Sequence, residues 1–448
     1  MKAKTISSES DSSSAMERTL IADIETGKEV LLQGWVHEVR DLKNIKFILL
    51  RDRTGIVQCV VKKDNEKLFE MVPGLRNETC ISLSGKAVVS RVAKAGYEVV
   101  ADSVEVLGEV LQTLPIQVNV KGDINTDLST RLDARFLDLR KPEVAAIFKT
   151  RSEMVKALVK TFHELGFINI FTPKITSAGV ESGSDMFEVK YFERKAYLSQ
   201  SPQIYKQMMV IAGFERVYEI APVYRAENSN TPRHQTEFIG VDFEMGFIRD
   251  ENDVMDVIEE LMRSTINHIR EHCKPELELH GIDLPEVEKI PRVPMPELKK
   301  VLGKRGKELP EDADFDPEAE RMVGEYAKEN YGSEFIFVTR YPWSVRPFYH
   351  MKPEGEPDRT RSFDLLWNGM EIATGAQREH RYEVLKEQAT SKGVALDEME
   401  DYAMLFRCGA PPHGGVGFGL DRLAMRLFKL DNIREAILLP RDPSRLTP

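Results

Sequence analysis

Arg225 and Glu227 stand two residues apart at the end of one apolar run, and Arg233 and His234 end the polar loop that follows it, within RVYEIAPVYRAENSNTPRHQTEFIGVDFEMGF (216–247). Two strand-like runs around a polar loop predict a long antiparallel hairpin. Residues two apart on a strand share a face, so Arg225 and Glu227 look the same way, with Arg233 and His234 closing over them. Guanidiniums suit phosphates and a carboxylate suits an exocyclic amine, so the group fits a nucleotide. By itself it is equally a surface hairpin laced with salt bridges.

A second stretch, SFDLLWNGMEIATGAQREHR (362–381), carries Asn368-Gly369 between two apolar runs. That dipeptide predicts a two-residue type I′ turn. In the resulting register Leu366 opposes Glu371 and Asp364 opposes Ala373. Asp364 and Glu371 become diagonal neighbours on one face, able to share a divalent cation. The same register turns Thr374 to the opposite face unless Gly375 kinks the strand. Gln377 and Arg378, at the strand's end, could meet a carboxylate substrate.

In a third stretch, HGGVGFGLDR (413–422), four glycines in six residues precede a helix expected to begin near Leu420. A strand without side chains lets a planar base lie close to its backbone, and Arg422 in the first helical turn can reach a phosphate. Neither a Rossmann GxGxxG nor a Walker GxxxxGK[ST] is present, so the glycines alone are weak evidence.

The elements that must position these groups are legible in outline. The chain has 448 residues, 42% of them apolar and 30% charged, which predicts a soluble protein of more than one domain. No apolar run approaches a membrane span, and the Ser-rich first 19 residues are expected to be a disordered leader without the pattern of a secretion signal, which predicts a cytoplasmic protein. Cys59, Cys80, Cys273 and Cys408 lack CxxC spacing, so neither a zinc site nor a disulfide framework is indicated. A net charge of −11 argues against a general nucleic-acid coat.

Residues 20–110 carry 13 Lys and Arg against 14 Asp and Glu, so most of the acidity lies elsewhere. Five strand-like runs are expected there, at 29–36, 45–51, 56–61, 79–89 and 97–107, with a short helix at 66–72 between the third and fourth. That order fits an OB-fold barrel, which holds single-stranded bases by stacking and edge bonding. Phe47 and Gln58 are the candidates, although Phe47 as a core residue is at least as good a reading of the barrel alone. A polar connector (111–140) ends in RLDARFLDLR, and the remainder (141–448) reads as one α+β domain. Within it a helix is expected at 143–165, a strand at 167–172 broken by Pro173, a mobile-type loop around Glu181, a helix start near Gln203 and Lys206, and a support helix at 251–272. The charged region 275–332 shows no chemistry.

Taken together, these residues resemble the class II aminoacyl-tRNA synthetases. FINIFTPKI with Pro173 is similar to the family's first motif, VYRAENSNTPRHQTEF to the second and GVGFGLDR to the third. The order barrel, connector, catalytic domain is similar to the aspartyl, asparaginyl and lysyl subgroup. SPQIYKQ, TEFIGVDFEM and GAQREH resemble aspartyl members of archaeal and eukaryotic type, while NSNTPRH is shared with asparaginyl ones. Asp421 departs from the usual Glu and Thr374 from the usual Ser.

The resemblance implies ATP-dependent activation of L-aspartate and transfer to tRNA(Asp), with tRNA(Asn) left open as a second acceptor. Lys206 with Arg378 would meet the substrate's side-chain carboxylate, which asparagine would leave unpaired. Arg225, Arg422 and Glu371 become the catalytic group. Glu181, Gln203, Ile204, Tyr205, Lys206, Arg225, Thr374 and Arg378 would surround aspartate. Arg225, Ala226, Glu227, Arg233, His234, Gln235, Glu371, Gly419, Leu420, Asp421 and Arg422 would surround ATP. Mg²⁺ would rest on Glu371, Thr374 and Asp364. Phe47 and Gln58 become anticodon readers, assisted by a loop after Trp35-Val36-His37, and Pro173 marks a homodimer interface. The alternatives are an asparaginyl enzyme, tested by which amino acid it adenylates, and a non-catalytic RNA-binding paralogue, disfavoured because Arg225, Arg233 and Arg422 are all present.

Overall fold

The computed structural model describes residues 16–93, 95–119, 126–177, 186–228, 231–396 and 399–448, and its contacts divide the chain into two compact units with the border between Lys141 and Pro142. In the first, β1 (Glu29–Leu42), β2 (Ile45–Arg51), β3 (Ile56–Lys62), β4 (Cys80–Val89) and β5 (Tyr97–Gly108) close into a barrel in the order β1-β2-β3-β5-β4. Alternate residues point inward: Val30, Leu32, Ile48, Leu50, Val57, Cys59 and Val61 form its core, as the period of two requires. The expected OB barrel is therefore present.

Three boundaries differ from expectation. β1 runs past Val36 to Leu42, with a bulge at His37 between the Val36–Leu50 and Glu38–Leu49 pairs. No loop follows Trp35-Val36-His37. This end of β1 pairs with β2 only, so its charged side chains keep access to water. The leader ends earlier than position 19, because the Thr19 N–H donates to the Leu31 carbonyl at 2.8 Å and Arg18 donates to that of Gln33 at 2.9 Å. The charged repeat RLDARFLDLR is not a solvated connector: buried Asp138 receives Arg131 at 3.1 Å, Arg135 at 2.8 Å and Lys141 at 3.1 Å. A charge is costly to bury unless it is paired and hydrogen-bonded.

The second unit contains β6 (Ile168–Asn169), β7 (Ile175–Thr176), β8 (Glu188–Tyr191), β9 (Arg194–Leu198), β10 (Arg216–Tyr224), β11 (Glu237–Gly246), β12 (Arg292–Pro294), β13 (Phe335–Thr339), β14 (Ser362–Trp367), β15 (Glu371–Gln377) and β16 (His413–Gly419). Eight of these form a sheet in the order β12-β13-β14-β15-β16-β11-β10-β6, while β7, β9 and β8 form a small separate sheet. The interior pairs are antiparallel; only the edges β6 and β12 run parallel to their neighbours. The strand expected at 167–172 shrinks to two residues, because beyond Asn169 the chain leaves the ladder ahead of Pro173, which cannot donate to one.

One face of this sheet is covered by helices Pro142–Glu164 and Glu251–His272. Asp250 caps the latter, accepting from the Asn252 N–H at 2.8 Å. Met154, Leu158, Phe162, Ile258 and Leu261 from the helices pack with Phe243, Phe363, Leu365, Val416 and Phe418 from the strands. Since those strand residues point toward the helices, their neighbours Asp242, Glu244, Asp364, Gly415 and Gly417 point away. This second face carries the candidate site.

Asn368 and Gly369 have φ of +48° and +71°, and Trp367 and Met370 exchange backbone hydrogen bonds of 2.9 and 3.2 Å, the expected type I′ turn. The predicted register fails three residues later. Leu366 opposes Glu371, but Leu365 opposes Ala373 and Asp364 opposes Thr374, leaving Ile372 as an extra residue. One inserted residue reverses the facing of everything beyond it. Thr374 is thereby returned to the face of Glu371, so the kink is at Ile372 and not at Gly375.

Helix Pro317–Tyr331 crosses this turn at very short range: a Cβ on Gly324 would stand 2.4 Å from the Gly369 N. Gly324→Ala is therefore expected to lower stability by ~1–3 kcal/mol, although alanine ordinarily gains ~1 kcal/mol over glycine in a helix. A rise in Tm for this variant would show that the crossing is not tight.

Candidate active site

A cavity of about 760 Å³ opens on the face opposite those two helices, lined from β11, β15, β16, the start of helix Gln203–Met209, the 225–235 loop and the segment 344–350. Most of the nominated residues meet there: Gln203, Lys206, Arg225, Glu227, Arg233, His234, Gln235, Glu371, Thr374, Arg378, Gly419, Asp421 and Arg422 all line it. Arg225 lies one residue beyond β10, yet its N–H still donates to the Thr236 carbonyl at 2.9 Å. The hairpin ladder therefore aims it. Among the described residues its guanidinium has only a loose ion pair, 3.9 Å to Glu227, and it lies 5.3 Å from the Phe238 ring centroid.

One end of the cavity is a buried charge lattice. The Lys206 ammonium donates to Asp242 at 2.9 Å and to the Val416 carbonyl at 3.0 Å, and stands 3.5 Å from Glu244. Arg378 donates to Glu244 at 2.9 and 3.3 Å. Burial pushes the Glu244 carboxyl up, but Arg378 and Lys206 outweigh it, so the group sits below the ordinary glutamate range. His350, held far below the ordinary histidine value by burial and by Arg378, is neutral and accepts from Arg378 at 3.0 Å.

The glycines of β16 make this lattice possible. A Cβ on Gly415 would stand 2.1 Å from a Glu244 carboxylate oxygen, and one on Gly417 would stand 3.3 Å from that of Asp242. Beside Gly415 the space is occupied by a carboxylate of β11, while Gly417 and Gly419 line the cavity. Two buried amide atoms on the cavity wall, Gln203 Nε2 and Gln235 Oε1, have no hydrogen-bond partner among the described residues. Burying such a group unpaired costs ~1–3 kcal/mol, which a polar ligand would remove.

The other end gathers guanidiniums and carboxylates. Arg422 pairs with Glu371 at 3.1 Å, and the Thr374 hydroxyl donates to Glu371 at 3.1 Å. Burial pushes Glu371 up; Arg422, Arg346 and that hydroxyl bring it below its ordinary range. Asp364 lies behind it, paired with Arg346 at 2.6 Å, and its Oδ1 is buried without a partner. Burial holds Asp364 above the ordinary aspartate range against the pull of Arg346. Arg233 pairs with Glu320 at 3.0 Å. Burial, reinforced by Glu371, pushes the Glu320 carboxyl up to about 7.

Several nominations are corrected. Ile204 and Tyr205 do not line the cavity; a helix presents Gln203 and Lys206 on one side and turns the two between them away, and Ile204 packs against the Phe348–Tyr402 cluster. Ala226 alternates away from Arg225 and Glu227 and is not on the wall. Leu420 is buried in the main core. Asp421 reaches the wall, but its carboxylate is taken by Arg151 at 2.6 Å and by the Ile239 N–H at 3.0 Å. It braces the start of helix Leu420–Leu427. Asp364 does not line the cavity. Glu181 lies outside the described residues.

Asp242, Glu244, His350 and Arg346 were not nominated, and Glu320 sits in a region where no chemistry was expected. Asp242 and Glu244 did leave a signal: carboxylates alternating inside an otherwise apolar strand. Glu320 left none. In the barrel, Phe47 and Gln58 occupy the outer face of β2 and β3; Phe47 is half-exposed and outside the core, and Gln58 donates to Glu98 at 2.9 Å.

The family described as "tRNA synthetases class II (D, K and N)" matches residues 127–443, and an OB-fold nucleic acid binding domain matches residues 30–107. The chain belongs to the class II tRNA synthetases of the D, K and N group. Within it, the chain is 46% identical over 425 residues to the aspartate–tRNA(Asp) ligase of Thermococcus kodakarensis, covering 94% of this chain and 97% of that one. It is 47% identical to the aspartate–tRNA(Asp/Asn) ligase of Methanopyrus kandleri, covering 94% and 96%. The asparaginyl-tRNA synthetase of Pyrococcus horikoshii, complexed with asparaginyl-adenylate, superposes with a TM-score of 0.91 at 31% identity, covering 97% of this chain and 100% of that one.

Proposed function

We propose that the chain is an aspartate–tRNA ligase: it joins L-aspartate to AMP from ATP, releases pyrophosphate, and passes the aspartyl group to the 3′-terminal ribose of tRNA(Asp). The observation that carries this reading is that two buried cations, Lys206 and Arg378, stand in the same cavity as Arg225 and Arg422. The first pair suits an acidic side chain and the second suits phosphates.

In this reading Gln203 and Lys206 seat the amino acid with Arg378, Arg225 bridges its α-carboxylate and the α-phosphate, and Glu227 receives the adenine amine. Arg233 and Arg422 hold the outer phosphates. The substrate carboxylate is already a nucleophile, so no general base is needed; catalysis is in-line positioning plus neutralisation of the charge that leaves. Glu371, a hard donor on the cavity wall with the Thr374 hydroxyl alongside, fits Mg²⁺, which takes one or two carboxylates and completes its shell with phosphates and water. Mg²⁺ would supply charge neutralisation of the triphosphate. Phe47 and Gln58, facing outward on adjacent strands, suit stacking and reading of anticodon bases. No helix among the described residues is long and apolar enough to cross a membrane, which is compatible with a cytoplasmic enzyme.

Asp242 and Glu244 balance Lys206 and Arg378, and that neutrality favours asparagine as a second reading. Aspartate- and asparagine-dependent ATP–pyrophosphate exchange separates the two; faster exchange with asparagine would reverse the assignment. Charging assays with purified tRNA(Asp) and tRNA(Asn) then decide whether the second tRNA is also a substrate.

We also propose a homodimer through the β6 edge. Phe171 is 87% exposed and Ile168 45%, with Pro173 nearby in the chain, and exposed apolar side chains gathered at one edge suit an interface. Sedimentation should give twice the chain mass, and Phe171→Glu should shift the equilibrium toward monomer. A wild-type monomer at micromolar concentration would sink this.

A further inference from the structure

Two guanidiniums at the phosphate end are clasped by carboxylates: Arg422 by Glu371 at 3.1 Å and Arg233 by Glu320 at 3.0 Å. Glu371 has its own part in the chemistry above; Glu320 does not. It stands on the first turn of helix Pro317–Tyr331, and that helix is locked over the Asn368-Gly369 turn. A Cβ on Gly369 would meet the Glu320 carbonyl oxygen at 2.8 Å and the Arg321 Cα at 2.6 Å. Arg233 comes from the far end of the hairpin loop. The acceptor is therefore anchored. Both side chains are largely sheltered, 17% and 27% exposed.

A triphosphate carries more charge than a carboxylate and displaces it from a guanidinium. Glu320 is then left beside Glu371 and the phosphates without its counter-ion, an unfavourable arrangement that its carboxyl, already pushed up to about 7, meets by taking up a proton. That cost ends when pyrophosphate departs and Arg233 returns. We infer that Glu320 is a positioning residue that holds Arg233 while no phosphate is bound and competes for it with pyrophosphate, weakening nucleotide binding and hastening product release. This rests on the reading of Arg233 as a phosphate-binding residue.

The test is calorimetric titration of the full-length chain with Mg·ATP, without aspartate, and separately with magnesium pyrophosphate. Glu320→Gln keeps the shape and removes the charge; it is expected to tighten both dissociation constants by about fivefold, the scale of a half-sheltered ion pair. In steady state it should lower the KM for ATP and slow turnover wherever pyrophosphate release limits it. In an Arg233→Ala background the same substitution should change either constant by less than about twofold. A general field effect of one lost negative charge would persist in that background, so persistence overturns the proposal. Unchanged or weaker binding by Glu320→Gln overturns it as well, and Glu320→Ala serves for the same comparison if the glutamine variant melts early. Wild-type protein that binds neither ligand would instead overturn the reading of the pocket itself. Wild-type binding without tightening in the variant refutes only the role of Glu320.

Discussion

Arg225→Ala is expected to reduce aspartate-dependent ATP–pyrophosphate exchange by roughly 10²–10³-fold or more, the scale of losing a preorganised charge aimed at the transition state. The fold should hardly register the change. The side chain is 43% exposed and its one ion pair, with Glu227, spans 3.9 Å, so the stability cost should stay within ~0.5 kcal/mol. A Tm within about 2 °C of wild type alongside lost exchange would separate a chemical role from a structural one. A variant that retains exchange would remove the central claim and revive a non-catalytic reading.

Lys206→Met should behave in the opposite way, losing stability and activity together. The residue is 2% exposed, and its ammonium serves Asp242 at 2.9 Å and Glu244 at 3.5 Å. Removing it leaves two buried carboxylates short of a counter-charge, at a cost of ~3–5 kcal/mol. The Tm should fall by roughly 10 °C. Adding Glu244→Gln, which removes the opposing charge, should recover part of that stability but none of the aspartate activation. Full recovery of exchange in the double variant would mean that Lys206 only neutralises Glu244 and never meets the substrate.

The contrast between these two arginine- and lysine-centred predictions follows from what could be read in the chain. The resemblance to the class II synthetases implied that Arg225, Arg233, Glu371, Arg378 and Arg422 belong together, but not which of them the fold already uses. Nothing in SPQIYKQ says that Lys206 is spoken for by Asp242 and Glu244. Those two carboxylates come from β11, and they fit only because β16 presents glycine opposite them. The register at Asn368-Gly369 was legible at the turn itself, where positive φ restricts the residue types. It was lost at Ile372, because a bulge is set by how β15 must sit between β14 and β16, which no local pattern records.

Local chemistry thus determined the barrel, the Asn368-Gly369 turn and the helix at 251–272, since each depends on residues near one another in sequence or on short-period alternation. Tertiary structure alone decided the facing of Thr374, the pairing of Lys206 and Arg378 with buried carboxylates, and the arrival of Glu320 from a helix 87 residues beyond its partner Arg233. The physical reason is common to all three. Electrostatic partnership in a buried site depends on distance through space and on exclusion of water, and neither quantity is written along the chain.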